Sequence, residues 1–375
     1  MNLDTNKRKF LKTAAMGMAG VAAASVAAPA LASSRITWRM VTAWPKNFPG
    51  LGVGAQRLAD RITAMSGGRL TIRVYSAGEL VPALQAFDAV IEGSAEMCHG
   101  TPYYWQNKSQ GTNFFTGVPY GMTSGEFAAW MRYHGGQELW DRLYDQFGVK
   151  GFLAGDTSAQ SGGWFRKPIA GLDDLKGINF RTPGLGGQVW QKLGANVVNL
   201  AAGDIYTALQ SGALDAAEFV GPYNDLALGF HQICKNYYLP SFIEPGMAIE
   251  LAVNKDKFLA LPKDLQAIVE VACQAEYEQV AADYYANDPA ALQTLTEKHG
   301  VQLHAFPEDI LEAGARAAME IMQGLLEHRD GITREIAQSY VKNLEFLRSK
   351  TDRFDLPYAQ ARQKYIRYSL YVECV

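Results

Sequence analysis

The sequence predicts an α/β protein of two lobes with a largely helical C-terminal part. Residues 35–105 alternate between strand and helix patterns in the order β-α-β-α-β, and residues 148–215 repeat this alternation with shorter elements. Such an order is typical of parallel sheets whose strand ends carry ligand-binding loops. Beyond residue 254 the periodicity of the apolar residues is mostly that of helices.

The first unit contains three strand patterns and two helix patterns. Two glycines end its first helix, and Pro82 lies near the start of its second helix. The predicted strands are 35–44, 69–78 and 94–105, and the predicted helices are 54–68 and 82–93.

The second unit contains shorter patterns of the same kind. The segments FDAVIEGSAEMCHGTPYY and YTALQSGALDAAEFVGPYN share a helix end, a glycine, an acidic residue, a short strand and Pro-Tyr. The similarity of these two segments indicates two related lobes facing across a cleft, unless it is a chance similarity of two helix–turn–strand units. The predicted strands are 148–156, 161–168, 178–184 and 196–202, and the predicted helices are 186–195 and 203–215, with a short helix or turn at 171–177.

The C-terminal part is predicted to be helical to its end. Residues 261–300 form one long helix or two helices broken near Asp288-Pro289. The last helix carries apolar residues on much of its surface, so we expect it to pack either on its own chain or on a second copy. These residues are Tyr358, Tyr365, Ile366, Tyr368, Leu370 and Tyr371.

Residues 1–32 have the pattern of a secretory signal peptide. The basic segment 6–12 precedes an Ala/Gly-rich segment that ends in the cleavage pattern Ala30-Leu31-Ala32. The run KRKFLK resembles a twin-arginine signal in which Lys replaces the first Arg. An uncleaved membrane anchor is the alternative, but the segment is poor in Leu, Ile and Phe. The mature protein is therefore expected in the periplasm.

Charge and cysteine content exclude several classes of function. Cleavage after residue 32 removes four basic residues and one acidic residue, which changes the formal net charge from −3 to −6 and argues against nucleic acid as a partner. The four cysteines fit neither a zinc site nor a C-x-x-C pair. We expect buried free thiols at Cys98, Cys234 and Cys273, with Cys374 near the C-terminus as the exception.

Catalytic signatures are missing from the sequence, whereas polar residues recur at predicted strand ends. The sequence has no H-E-x-x-H, G-x-S-x-G, P-loop or EF-hand pattern, and its six histidines do not cluster. Arg181 ends a strand before Thr-Pro-Gly, Gln160 lies in the loop 155–163, and Glu218 and Glu244 each end an apolar segment before a Pro-containing turn. In α/β sheets, ligands bind at the carboxyl ends of the strands, so we expect these loops to converge on one cleft.

Each of these residues also has a purely structural interpretation. A buried arginine needs an anionic partner, which is either a ligand carboxylate or a carboxylate of the fold such as Asp173 or Asp174. Gln160 is otherwise an ordinary loop residue, and the two glutamates are otherwise solvated turn residues. Local sequence alone leaves these alternatives open.

At these residues the sequence resembles the periplasmic solute-binding subunit of TRAP (tripartite ATP-independent periplasmic) transporters. The similarity covers essentially the whole mature chain. Within it, the R-x-P-G strand and the ALQSGALDAAE helix are specific for the family, and E-F-V-G-P resembles the branch that binds 2-oxo acids such as pyruvate with a metal ion. The segments that carry it are GDTSAQSGGWFRKPI, GINFRTPGLGGQVWQKLGA, GDIYTALQSGALDAAEFVGPYNDLALGFH and FIEPGMAIELAVNKDKF.

The resemblance implies a role for each of these residues. Arg181 binds the substrate carboxylate, Gln160 and Glu218 supply side-chain oxygens to the cation, and the Phe219 carbonyl is a third metal ligand. Glu244 closes the site on the substrate side, and Tyr103 and Trp44 line it from the first lobe. Close members of the branch often carry Trp at the position of Phe219, so the pocket wall and the acceptable size of the acid differ here.

The resemblance also implies the architecture and the partners. It implies a periplasmic-binding-protein-like fold with a hinge, a long helix across both lobes, and a C-terminal helix exchanged in a homodimer. Permease subunits of the membrane would receive the ligand. The expected boundaries are 1–32 for the signal peptide, 33–156 plus about 245–285 for the first lobe, 157–244 plus about 286–345 for the second, and 346–375 for the C-terminal segment.

The ligand chemistry agrees with a bound cation. A 2-oxo acid chelates a cation through one carboxylate oxygen and its keto oxygen, and carboxylate, amide and carbonyl ligands select a hard cation such as sodium or calcium. Two rival hypotheses remain from the sequence. One is a binding protein for a dicarboxylate or sugar acid without metal, and the other is an exported enzyme that acts on a carboxylate.

Overall fold

The computed structural model describes residues 35–366, and residues 1–34 and 367–375, which include the predicted signal peptide and Cys374, lie outside the described residues. Eleven strands are found within this range. Their bounds are β1 Ile36–Thr42, β2 Leu70–Tyr75, β3 Met97–Gly100, β4 Val149–Asp156, β5 Gly163–Phe165, β6 Asn179–Arg181, β7 Asn196–Val198, β8 Ala216–Ala217, β9 Asn236–Tyr238, β10 Ala248–Asn254 and β11 Gln302–His304.

Helices connect and cover these strands. The bounds of the α-helices are α1 Leu51–Met65, α2 Ala86–Ile91, α3 Ser124–Tyr133, α4 Gly136–Asp145, α5 Gly184–Lys192, α6 Ala202–Ser211, α7 Pro222–Leu228, α8 Lys255–Ala260, α9 Lys263–Glu297, α10 Glu308–Leu326, α11 Gly331–Lys350 and α12 Leu356–Tyr365. Between residues 35 and 366, none of the helices combines the length and the apolar character that crossing a membrane requires.

The strands form two mixed sheets, one for each lobe. The first sheet has the order β2-β1-β3-β10-β4, in which β1 pairs in parallel with β2 and β3, and β10 runs antiparallel to β3 and β4. The second sheet has the order β11-β9-β5-β8-β6-β7. We call the parts built on these sheets the first and the second lobe. The parallel β1, β2 and β3 follow from the predicted β-α-β-α-β order.

The long helix α9 contacts elements of both lobes. It packs on β4 and α1 of the first lobe and on α7, which follows β8 of the second. Of the two alternatives for this segment, the structure has one continuous helix with Pro289 inside it. A proline removes the hydrogen bond to the carbonyl four residues earlier, which here belongs to Tyr285. Tyr285 is 76% exposed, so this turn of the helix lies at the surface.

Several predicted boundaries were wrong at the ends of short elements. The predicted strand 196–202 is β7 over only three residues, and α6 already begins at Ala202. The apolar segment before Glu218 contributes only Ala216 and Ala217 to the sheet, so Glu218 lies just beyond the strand. Cross-strand partners decide where pairing ends, and local propensity does not contain them. The predicted cysteine state is confirmed, because Cys98, Cys234 and Cys273 are buried free thiols.

A buried carboxylate lies in the core of the first sheet. Glu250 on β10 is fully buried, accepts hydrogen bonds from Trp105 Nε1 at 2.5 Å and Tyr144 Oη at 2.8 Å, and lies outside the cluster of strand-end residues. Burial raises the pKa of Glu250 from 4.5 to about 7, and its two hydrogen bonds oppose this shift. The folded protein therefore holds a proton here that the unfolded chain has lost near neutral pH.

The Glu250→Gln variant should reduce the pH dependence of stability. With the folded pKa above the unfolded pKa, the stabilising contribution is complete below about pH 4.5 and is lost as the pH rises through about 7. A glutamine does not titrate, so the loss of unfolding free energy between pH 5 and pH 8 should shrink by about 3 kcal/mol. Urea unfolding at both pH values measures this difference. Glu335→Gln at the exposed pair with Arg142 is the control, and an unchanged pH slope in Glu250→Gln would contradict the assignment.

Candidate functional site

Arg181 is the centre of the candidate site. It is the last residue of β6 and is 1% exposed. Its Nη1 donates to the Glu218 carbonyl at 2.6 Å, its Nε donates to the Leu200 carbonyl at 3.0 Å, and its Nη2 donates to Tyr104 Oη at 3.4 Å. Three of the five N–H groups of the guanidinium are thus used to hold it in place.

The nearest carboxylate to Arg181 is Glu218, with Oε2 at 3.8 Å from Nη1. The fold carboxylates that the sequence left as alternatives are engaged elsewhere. Asp173 pairs with Lys176 at 2.6 Å, and Asp174 accepts the backbone N–H of Ala170 at 2.7 Å. The guanidinium therefore faces the loop that follows β8.

Glu218 is buried beside Arg181. Its backbone N–H donates to the Arg181 carbonyl at 2.9 Å, and its Oε2 lies 3.5 Å from Thr182 Oγ1. Burial raises the pKa of Glu218 to about 8, the nearby charge of Asp225 adds to this, and Arg181 opposes it. Desolvation thus outweighs the guanidinium, because the ion pair is long and makes no direct hydrogen bond.

Glu244 is a second buried carboxylate of the site. It follows β9 and is 1% exposed, and its Oε2 makes no hydrogen bond within the described residues. Burial and the charge of Glu218 raise the pKa of Glu244 well above its ordinary 4.5. The backbone of Gly117 lies against this oxygen, and a Cβ atom at Gly117 would overlap Glu244 Oε2. A side chain at position 117 would therefore require Glu244 to move.

The side-chain amide of Gln160 faces two oxygens of the loop after β8. One end of the amide lies 3.0 Å from Glu218 Oε1 and 3.2 Å from the Phe219 carbonyl oxygen, and the other end lies 2.8 Å from Thr157 Oγ1. With nitrogen at the first position, the amide donates to both oxygens. With oxygen at that position, three oxygens face one another, an arrangement that a bound cation would stabilise. A rotation of one amide group interconverts the two arrangements.

The oxygen set has the chemistry of a hard-cation site. It combines one carboxylate, one amide and one backbone carbonyl, a mixture that suits sodium or calcium. In the described part of the chain, no three or more His, Cys, Asp or Glu side chains are grouped to hold a metal ion. The site therefore differs from the nitrogen and sulfur sets that bind zinc.

Aromatic side chains enclose the polar residues. The Phe219 ring lies 5.2 Å from the Arg181 guanidinium carbon and 5.8 Å, edge-on, from the Phe48 ring of the first lobe. Tyr103 is buried, and its hydroxyl donates to Met247 Sδ at 3.0 Å. Burial raises the pKa of Tyr103 well above 10, and Glu244 adds to this shift. Neutral rings therefore form the wall of the site.

The structure brings most of the predicted residues together and places one of them farther away. Gln160, Arg181, Glu218, Phe219 and Glu244 form one buried cluster. The Trp44 ring packs against Tyr104 with centroids 6.1 Å apart, and its indole N–H donates to His99 Nδ1 at 2.8 Å.

Sequence reasoning missed Tyr104, Thr157 and Thr182. Tyr104 accepts from Arg181, Thr157 contacts the Gln160 amide, and Thr182 contacts Glu218. Tyr104 follows Tyr103 in a Pro-Tyr-Tyr-Trp segment, so the aromatic loop was a visible signal, but the sequence does not show which tyrosine reaches the guanidinium.

The structure has two α/β lobes that enclose a guanidinium, two carboxylates and a group of polar atoms around Gln160. These features are typical of a protein that binds a small charged ligand. Comparison with known proteins identifies the family. The family described as bacterial extracellular solute-binding protein, family 7, matches residues 40–328, and the chain belongs to it. A monocarboxylate 2-oxoacid-binding periplasmic protein of Nostoc sp. strain PCC 7120 is 39% identical over 322 residues, which cover 84% of this chain and 88% of that protein.

Two solved structures resemble the chain over most of its length. A TRAP periplasmic solute-binding protein from Pseudoalteromonas atlantica T6c, with bound sodium and pyruvate, is 38% identical with a TM-score of 0.84 and covers 87% of this chain and 99% of that chain. A TRAP solute-binding protein from Bordetella bronchiseptica RB50 is a mixed-occupancy dimer with one site holding copurified calcium and picolinate and one apo site. It is 33% identical with a TM-score of 0.84 and covers 88% of this chain and 99% of that chain. The predicted family and two-lobed fold are confirmed.

The close approach of Gly117 to Glu244 gives a test of the packing of the site. Gly117→Ala should lower the free energy of unfolding by about 2 kcal/mol, because the added methyl group overlaps Glu244 Oε2 and crowds the Gly246 carbonyl. Gly125→Ala is the matched control, because a Cβ atom there meets nothing within 4 Å and the position lies in α3. Chemical unfolding measures both variants. Equal stability of the two would show that the loop at 117 moves freely away from Glu244.

Proposed function

We propose that the protein captures a small 2-oxo or 2-hydroxy monocarboxylate, such as pyruvate, together with a sodium or calcium ion. It then delivers the ligand to the permease subunits of a TRAP transporter. The observation that carries the proposal is the convergence of the Gln160 amide, the Glu218 carboxylate and the Phe219 carbonyl beside a buried guanidinium. Relatives whose names specify 2-oxoacid binding, or whose structures hold sodium with pyruvate, support the same chemistry.

Arg181 binds the carboxylate of the ligand in this proposal. Three of its N–H groups donate to Leu200, Glu218 and Tyr104, which fixes the plane of the guanidinium. The two remaining N–H groups can donate to the two oxygens of a carboxylate. The Phe219 ring against one face of the guanidinium restricts the approach to the open side.

Gln160, Glu218 and the Phe219 carbonyl hold the cation. The cation supplies positive charge that polarises the keto or hydroxyl oxygen of the ligand and joins it to the protein. When both buried carboxylates are ionised, they and the guanidinium leave one negative charge, and the ligand adds another. A monovalent or divalent cation brings the sum to −1 or 0, which lowers the cost of burying these groups.

Glu244, Tyr103 and Trp44 complete the site. Glu244 closes it on the substrate side, and Tyr103 lines it directly from the first lobe. Trp44 acts through Tyr104, against which it packs. The Phe219 ring sets the size of the acid, because it lies between Arg181 and Phe48.

The protein acts as a receptor and not as an enzyme in this proposal. Its family consists of solute-binding proteins, and the cluster around Arg181 offers groups that bind charge. The protein works in the periplasm after export by the twin-arginine route. Binding of a dicarboxylate or sugar acid without metal is the rival hypothesis. The binding experiment below distinguishes it from metal-dependent binding of a monocarboxylate.

The proposed lobe boundaries follow the two sheets. The first lobe comprises 33–156 and about 245–285, and the second comprises 157–244 and about 286–345. The sheets support this division, because β10 returns to the first sheet and β11 returns to the second, whereas α11 packs on α3 and α4 of the first lobe. The segments between β4 and β5 and between β9 and β10 then form the hinge, and both contribute residues to the site.

A homodimer through the C-terminal segment 346–375 is the proposed assembly. Every described residue from 352 to 366 is exposed, so this part does not pack on its own chain. Its large apolar side chains include Phe354 at 64%, Tyr358 at 67% and Tyr365 at 70% exposure. An exposed apolar patch of this kind marks an interaction site, and the dimeric relative favours a second copy as the partner.

Removal of the cation should weaken pyruvate binding. Calorimetry with pyruvate is expected to show at least a tenfold loss of affinity after chelation and removal of sodium, because Glu218 and the ligand then repel each other. Glu218→Gln should weaken the effect of added calcium by about tenfold, since it removes the one charged side chain among the proposed protein ligands of the cation. Glu250→Gln, which changes a buried glutamate outside the site, is the matched control and should bind as wild type.

The other outcomes of this experiment discriminate between the hypotheses. Equal pyruvate affinity with and without cation would contradict the metal-bridged site. Tighter binding of a dicarboxylate or sugar acid without metal would support the rival, and turnover of any acid would support an enzyme. Arg181→Lys keeps the charge but loses the forked geometry, so it should weaken pyruvate binding at least tenfold.

Truncation of the C-terminal segment tests the dimer. Deletion of residues 353–375 leaves the contact of Thr351 with Glu126 intact and should convert the dimer to a monomer in light scattering at about 10 μM. Pyruvate affinity should stay within about threefold, because the cluster around Arg181 lies within one chain. A full-length protein that is already monomeric at this concentration would overturn the proposed assembly.

A further inference from the structure

The loop 45–50 of the first lobe is attached to the second lobe by Asn224. The Asn224 Nδ2 donates to the Pro49 carbonyl at 2.8 Å. Asn224 lies on α7, which follows the binding-site loop after β8, whereas Pro49 lies between β1 and α1. Asn224 is fully buried, so this hydrogen bond is shielded from water.

The other end of the same amide is held by the long helix. Tyr284 of α9 donates from its hydroxyl to Asn224 Oδ1 at 2.6 Å. Gly50 has a φ of 65°, and a Cβ atom there would lie 2.7 Å from the Tyr284 hydroxyl. The loop 45–50, α7 and α9 thus meet at the side-chain amide of Asn224. Gly50 allows the loop to lie close to Tyr284.

The neighbouring contact links this loop to the binding site. Phe48, the residue before Pro49, packs edge-on against Phe219, with ring centroids 5.8 Å apart. Phe219 also presents its carbonyl to Gln160 and its ring to Arg181. A movement of the loop away from Asn224 would therefore remove one support of Phe219.

We propose that Asn224 is a positioning residue that fastens the first lobe over the bound ligand. Its amide joins the Pro49 carbonyl to the Tyr284 hydroxyl when the lobes are closed, which keeps Phe48 on Phe219. Release of the ligand requires these contacts to break, so Asn224 sets the dissociation rate. This inference rests on the proposed function, because dissociation is measured with pyruvate and the cation.

Asn224→Asp tests the fastening with little change of size. The aspartate still accepts from Tyr284, but it replaces the donor to Pro49 by an oxygen that repels the carbonyl. Stopped-flow measurement with pyruvate and calcium should show dissociation about tenfold faster. The association rate should stay within about threefold, because the open protein has not yet made these contacts.

Asn236→Asp is the matched control. Asn236 is also buried, and its Nδ2 donates to the Phe165 and Arg166 carbonyls at 3.2 and 3.3 Å. All of these partners belong to the second lobe, so Asn236→Asp should lower the melting temperature without changing pyruvate dissociation. Tyr284→Phe is a second variant, which keeps the bond to Pro49 and should accelerate dissociation about threefold.

Two results would overturn the inference. One is a dissociation rate in Asn224→Asp equal to that of Asn236→Asp. The other, should Asn224→Asp fail to fold, is an unchanged rate in Tyr284→Phe. Failure of the proposed function has a different signature, because wild type then binds neither pyruvate nor cation.

Discussion

The buried guanidinium of Arg181 is the constraint on which the rest of the site depends. A cation removed from water must be surrounded by acceptors, and Arg181 obtains them from the Leu200 and Glu218 carbonyls and the Tyr104 hydroxyl. Leu200 lies in the connection between β7 and α6, Glu218 directly follows β8, and Tyr104 belongs to the first lobe. The hydrogen bonds of one side chain therefore hold three segments together. The two carboxylates of Glu218 and Glu244 then lie in the same dry volume.

This concentration of charge governs the ionisation of the site. Both glutamates have a pKa raised by burial, so each resists carrying its negative charge until positive charge arrives. The rotatable amide of Gln160 lets the same atoms either hydrogen-bond internally or present three oxygens to a cation. Ligand, cation and lobe closure are thereby coupled, since each lowers the free energy of burying the others.

Much of the fold was predictable because it is encoded locally. The alternation of β1, α1, β2, α2 and β3 follows from periodicity, glycine stops and Pro82. Arg181, Glu218 and Glu244 were visible as charged residues ending apolar segments, but the sequence could not exclude Asp173 as the partner of Arg181. The sequence could not show whether Tyr103 or Tyr104 contacts Arg181. Which of the two side chains reaches across the cleft depends on how the other lobe is placed.

By itself the sequence determined the two α/β units, the helical character of residues 261–300, the buried cysteines and the polar residues at strand ends, since each arises from neighbours in the chain. Tertiary structure alone decided that the Gln160 amide, Glu218 and the Phe219 carbonyl come together, that a Cβ atom at Gly117 would meet Glu244, and that Asn224 joins Pro49 to Tyr284. Those contacts join residues far apart in the chain, and their distances follow only from the packing of the two lobes. Local propensity carries no information about such distances.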